Sequence, residues 1–215
     1  MRPKPVRAPE PQLAAARLAA GEEILECYRV LRKAGLNVVG EVLRGGPEFR
    51  ELDHYPPEDV YDRETRSQYY YHAHRGLDGE HGHFHTFVRA GGGEGVVHLA
   101  AISMDAYGYP IGLFIPNRWV AAGEWHPLDE MRKLLPRFRI DHAWPSWPVN
   151  RWISAMLVLF APQIEQLLLA REQTLSAWRA MRPGEDLLEC RDLEILAQMP
   201  VSVDETLAQV RASLP

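Results

Sequence analysis

Tyr69-Tyr70-Tyr71-His72-Ala73-His74, the break Arg75-Gly76-Leu77-Asp78-Gly79-Glu80, and then His81-Gly82-His83-Phe84-His85-Thr86-Phe87 form the passage on which the reading of this chain turns. Two runs of aromatic and β-branched residues flank a glycine-bearing break, the pattern of antiparallel strands joined by a turn. Five of the chain's nine histidines lie in it. Side chains two apart on a strand share a face, and histidine is the commonest protein ligand for zinc, iron and copper.

A hairpin that pairs Tyr71 with Thr86 sets His72 opposite His85 and His74 opposite His83. Four imidazoles then share one face, whereas a slip of one residue would send the doublet and the triplet to opposite faces. A two-residue reversal at Gly91-Gly92 pairs Arg89 with Glu94 and His85 with His98. A further register, with Met104 opposite Ile111, brings Asn117 beside His98. The expected ligand pool is therefore His72, His74, His83, His85 and His98. An all-imidazole set with few cysteines describes an open zinc, iron or copper site better than a closed structural zinc site. Such an ion would lower the pKa of bound water, with Glu80, Glu94 or Asp105 as proton acceptors or further ligands. Tyr70 shares the parity of His72 and His74, so its phenol is a candidate donor or proton relay. Arg118, in Asn117-Arg118-Trp119, could hold a carboxylate or phosphate, or pair with Asp105 or Glu124. His81 reads as a turn residue, and His54, His126 and His142 as loop residues. The same alternation also suits a hydrogen-bonded polar sheet face without an ion.

Outward from this hairpin, segments near 67–75, 83–89, 96–104 and 111–117 are separated by glycine-bearing turns and predict a four-stranded antiparallel meander over about 67–118. Apolar spacing predicts a helix from Pro11 to Ala34, closed by Gly35. Residues 45–66, rich in proline and acids, read as a long ordered loop. Helical pattern returns at Leu128 to Leu135 and again from Pro148, with a break near Phe160 because Pro162 lacks a backbone donor. Asp186 to Gln198 reads as another helix, and Ser202-Val203-Asp204-Glu205 as a capping box before the last one. The expected class is α+β: a four-stranded antiparallel meander covered by an N-terminal helix and a C-terminal helical group at about 127–213. Residues 1–10, with Pro3, Pro5 and Pro9 between basic residues, read as a flexible lead-in to a single domain over 11–215.

The chain has 215 residues, 46% hydrophobic and 25% charged, which suffices for a sizeable core. A net charge of −5 and a pI near 6.0 argue against nucleic acid as a partner. Apolar runs are too short to cross a bilayer, so no membrane association is expected. Cys27 and Cys190 lack partners and fall in helical patterns, so both read as buried free thiols in a reducing, cytoplasmic setting. No G-x-S-x-G serine, phosphate-cradling loop or dinucleotide spacing is present.

The run from Asp53-His54-Tyr55-Pro56-Pro57 through Tyr71-His72-Ala73-His74, Glu80-His81-Gly82-His83-Phe84-His85 and Ser103-Met104-Asp105 to Asn117-Arg118-Trp119 resembles a family of bacterial proteins of unknown function. It covers roughly the middle third of the chain and implies a bacterial source but no activity. The Ser103 to Pro110 hairpin also looks like strand pairs in split-barrel flavin and haem proteins, which is the ground for a haem or flavin alternative. The expected function is a cytoplasmic metal-binding protein for a divalent zinc, iron or copper ion, with a mononuclear metalloenzyme acting on a small-molecule ligand as its catalytic form. The alternative class is a non-catalytic binding or assembly module with a structural histidine face. No oligomeric state follows from the chain.

Overall fold

The computed structural model describes residues 10–46, 48–90 and 95–214. All of the expected lead-in except Glu10 lies outside those residues, as does the Gly91 to Glu94 reversal with the candidate Glu94.

Helix α1 (Glu10–Lys33) ends before Gly35, which adopts φ +70, and a short α2 (Val38–Leu43) follows with Asn37 Oδ1 accepting from the Gly40 amide at 2.8 Å. Six strands then build one antiparallel sheet: β1 (Tyr55–Asp62), β2 (Ser67–His72), β3 (Gly82–Arg89), β4 (Val96–Met104), β5 (Pro110–Pro116) and β6 (Ile195–Pro200). Each pairs with the next, so the spatial order is the chain order. Between β5 and β6 lie α3 (Arg118–Ala121), α4 (Leu128–Leu134), α5 (Trp147–Leu159) and α6 (Ala161–Met181), and α7 (Val203–Ala212) closes the described chain.

The class is α+β with one antiparallel sheet and helices at both ends, but the sheet has six strands rather than four. Both extra strands are edges. The β1 segment carries Pro56 and Pro57, which cannot donate to a ladder and are tolerated at a sheet edge, so its sequence reads as loop. The β6 segment, Ile195-Leu196-Ala197-Gln198, was expected to continue a helix from Asp186. It becomes a strand because β5 offers it an unpaired edge, with Phe114 opposite Gln198 and Leu113 opposite Met199. Only a single 3₁₀ turn, Leu187–Glu189, remains of the expected helix, so Cys190 lies beyond helical structure and is half-buried. Cys27 is buried in α1 and unpaired.

Other local expectations hold. The helical stretch breaks at Phe160, where α5 and α6 bend by 65°. Ser202 accepts from the Glu205 amide at 3.3 Å to start α7. No single helix among the described residues is long and apolar enough to cross a membrane.

Strand parity sorts the sheet into two faces. Tyr69, Tyr71, Phe84, Ile102 and Leu113 join the main core with Ile24, Cys27 and Leu31 of α1 and with Val149, Ile153 and Met156 of α5. Trp152, fully buried on α5, lies with its ring 5.3 Å from that of Phe84. The Tyr69 hydroxyl donates to Asn150 at 2.6 Å, and Asn150 donates to the carbonyls of His142 and Trp144, so the start of α5 is tied to the sheet by a satisfied polar network. The opposite face carries Tyr70, His72, His83, His85 and Phe87, and it too is withdrawn from water.

Candidate metal centre

The β2–β3 ladder pairs Tyr70 with His85, Tyr71 with Phe84 and His72 with His83. This register is offset by two residues from the expected one, in which His72 faced His85. An even offset leaves parity unchanged, so the histidines still share a face although their opposite numbers differ. His74, just past the end of β2, folds back over the pair. Ring centroids are 4.6 Å apart for His72 and His83, 4.8 Å for His72 and His74, 4.9 Å for His72 and His85, and 5.0 Å for His83 and His85. One ring nitrogen from each of His72, His74, His83 and His85 lies within 4.8 Å of all the others, which is close to the spread that a single ion of about 2.0–2.1 Å bond length can gather.

Gly82 permits this close approach. A Cβ there would lie 2.6 Å from both the His72 carbonyl oxygen and the Tyr71 hydroxyl, so any larger residue would push β3 off β2 beside the quartet.

Two side chains hold histidine rings of the quartet from behind. Glu80, in the turn, accepts from His83 Nδ1 at 2.7 Å, and Arg75 donates to the other Glu80 oxygen at 3.3 Å. With its proton on Nδ1, His83 presents the Nε2 lone pair to the centre, the arrangement that metal-ligating histidines adopt. His85 Nδ1 lies 2.8 Å from His98 Nε2, so a His85 that donates through Nδ1 likewise keeps Nε2 free. The Nε2 atoms of His72, His83 and His85 are all buried and have no hydrogen-bond partner among the described residues. A buried polar atom left unsatisfied costs about 1–3 kcal/mol, and here three such atoms belong to one cluster of rings.

Electrostatics favours neutral imidazoles. Burial, reinforced by His83, His74 and His54, pushes His72 down to about 3. Burial and the neighbouring His98 hold His85 well below the ordinary range. Burial lowers His83 as well, despite the opposing pull of Glu80. Burial alone would raise the Glu80 carboxyl, but hydrogen bonds from His83 and Ser103 outweigh it and keep the group below the usual range. His72, His83 and His85 thus present neutral lone pairs with one ionised carboxylate behind them, the state suited to a divalent cation.

Of the expected ligand pool, four residues converge and His98 stands one bond further out, against His85. His98 was expected opposite His85. It faces Phe87 instead, because the β3–β4 ladder shifts between Thr86 and Phe87. Without that bulge His98 would turn to the core face. On the next ladder Ile102 faces Leu113 and Ser103 faces Gly112, as the expected register requires, but Met104 meets Pro110 rather than Ile111. Asn117 donates to the Leu187 and Leu193 carbonyls at 2.8 and 2.9 Å, which occupies its amide away from the quartet.

The other candidates divide. Glu80 is behind a ligand rather than free in the centre. Tyr70 lies on the histidine face, 5.1 Å from His72 and 5.2 Å from His85 by ring centroids. Asp105 accepts from the amides of Tyr107 and Tyr109 at 2.9 and 2.8 Å and so shapes the β4–β5 reversal. Arg118 pairs with Glu189 at 2.9 Å and Asp186 at 3.3 Å, neither of them the expected Asp105 or Glu124. His81 stays out of the cluster, its Nδ1 2.7 Å from the Tyr71 hydroxyl on the core side. His54 lies in the loop just before β1, as expected, and from there its ring reaches the site's edge. It stacks on Tyr70 at 3.6 Å, meets the His72 ring edge at 5.5 Å, and is held by Asp59 at 2.8 Å. The strand character of its neighbourhood was the missing signal.

Residues 18–201 match a family model described as Domain of unknown function (DUF6969). No curated protein and no solved structure matches the chain.

Proposed function

The chain belongs to the DUF6969 family, whose description assigns no activity, and on that footing we propose from its side chains that it binds one divalent transition-metal ion at His72, His74, His83 and His85. The observation that carries this reading is the convergence of four histidine side chains, three of which keep a buried Nε2 with no hydrogen-bond partner among the described residues. A hydrogen-bonded polar face would have paired them. Four imidazole nitrogen donors without thiolate suit zinc, copper or iron rather than magnesium or calcium, which take oxygen. Glu80 sets the tautomer of His83 and offsets part of the ion's charge, while His98 does the same orienting work for His85 without adding charge. With its His74 side less enclosed than the rest, the centre is a mononuclear site open to a small molecule, with the Tyr70 ring 5.1 Å from that of His72 on the same face.

Metal content of purified protein by inductively coupled plasma mass spectrometry tests this. One equivalent of zinc, copper or iron is expected in the wild-type protein after reconstitution, and loss of that equivalent in His83→Ala/His85→Ala with the helical circular-dichroism signal retained. Equal metal content in the two proteins would sink the assignment.

A further inference from the structure

Row by row across the sheet, the histidine face continues past the quartet onto small residues. His83 lies opposite Ser103, Ser103 opposite Gly112 and Gly112 opposite Pro200; in the next row His85, Ala101, Phe114 and Gln198 follow one another. Neighbouring strands are about 4.8 Å apart, so the missing side-chain bulk at Ser103 and Gly112 opens a depression that begins one strand from His83. A cavity of about 340 Å³ occupies it, and Glu80 and Phe114 are walls common to the cavity and the quartet. The Phe114 ring lies 5.1 Å from that of His83 on one side and 4.0 Å from the Arg75 guanidinium on the other.

Building on the metal reading above, we propose that this cavity, which none of the four histidines lines, is a ligand site beside the metal centre and that it takes a small organic carboxylate, with Arg75 as the group that recognises the anion. Arg75 is the one cation among its lining residues. Its guanidinium is flattened on Phe114 and largely shielded from water, with the side chain 8% exposed. Its terminal nitrogens donate to Ser103 Oγ at 3.3 Å, to Gln198 Oε1 at 3.0 Å and to Glu80 at 3.3 Å. Two of those three acceptors are neutral, and an incoming carboxylate replaces them with a charged, bidentate partner in a site of low polarity. Of the remaining walls, Asp78 is acidic and exposed to solvent, while Leu77, Ile111 and Met199 accept an apolar body. A divalent ion at the quartet adds positive potential one strand away and further favours an anion.

Cobalt(II) serves as the probe ion, since its visible band reports the quartet directly, and binding of butanoate is followed by isothermal titration calorimetry with butanamide as the neutral control of the same shape. The cobalt-loaded protein is expected to bind butanoate at least roughly tenfold more tightly than butanamide, the worth of a charge-assisted pair. Arg75→Gln is expected to abolish that preference, and Gly112→Val to abolish butanoate binding by filling the floor, both with the cobalt band intact. A cobalt band without butanoate binding, or with an undiminished preference for butanoate in Arg75→Gln, overturns the carboxylate site alone. Absence of the band in the wild-type protein overturns the metal reading and this one together.

Discussion

Glu80 and His98 touch no shared point in the centre, yet each decides which nitrogen a ligand ring offers. A carboxylate behind a ligating histidine fixes the tautomer and raises the basicity of the far nitrogen, and its loss costs about 10–100-fold in metal affinity. Glu80→Gln is therefore expected to weaken zinc by that order while the quartet stays in place, read by competition with a chromophoric chelator; an unchanged affinity would reduce Glu80 to a turn residue. Protonation competes with the same nitrogens. His72 and His98 are pushed down to about 3, in both cases by burial first, whereas in the unfolded chain a histidine titrates near its usual value of about 6.5. Between those values the unfolded chain takes up protons that the folded one refuses, so metal-free protein keeps its full stability above about pH 6.5 and loses it progressively as pH falls toward 3. The urea midpoint of metal-free protein should drop between pH 7.5 and pH 5, and His72→Gln should make that drop smaller.

Among the elements, the β2–β3 hairpin and the bulge in the β3–β4 ladder do the positioning. Alternation of residues told that His72 shares a face with His74, and His83 with His85, because a strand's period of two is local, and a hairpin register of the right parity was needed to put the two pairs together. It could not tell His72 facing His83 from His72 facing His85, since both registers obey the same parity, and the turn geometry chose between them. Gly82 is the position where that hairpin has no slack. Gly82→Ala is expected to lower the thermal midpoint and to abolish metal uptake together, as measured by calorimetry and metal analysis; loss of neither would mean that the strands can part at no cost. On the other face, Trp152 joins α5 to β3, and truncating a buried indole of this kind costs about 3–5 kcal/mol. Trp152→Ala should show that loss in urea unfolding.

Taken whole, the chain places a polar, ion-ready face on one side of a sheet whose other side is packed by α1 and α5. Three unpaired nitrogens in that buried face work against the metal-free fold, and an ion that binds only the folded state reverses this. At a free zinc concentration of one hundred times Kd the gain is about 2.7 kcal/mol, so zinc should raise the unfolding midpoint and a chelator should return it. A midpoint indifferent to both would leave the quartet without an ion to hold. The sequence by itself determined the central strands, the helix break at Phe160, the capping box at Ser202 and the shared face within each of the pairs His72/His74 and His83/His85, because periodicity, proline geometry and capping act over a few residues. Tertiary structure alone decided the edge strands β1 and β6, whose proline-bearing and helix-like sequences are overruled by the ladder hydrogen bonds offered by a neighbouring strand. It alone brought His54 against Tyr70 and set the bulge that turns His98 toward His85. Those placements depend on pairings between residues far apart in the chain, and no local pattern records which distant partner a strand edge will meet.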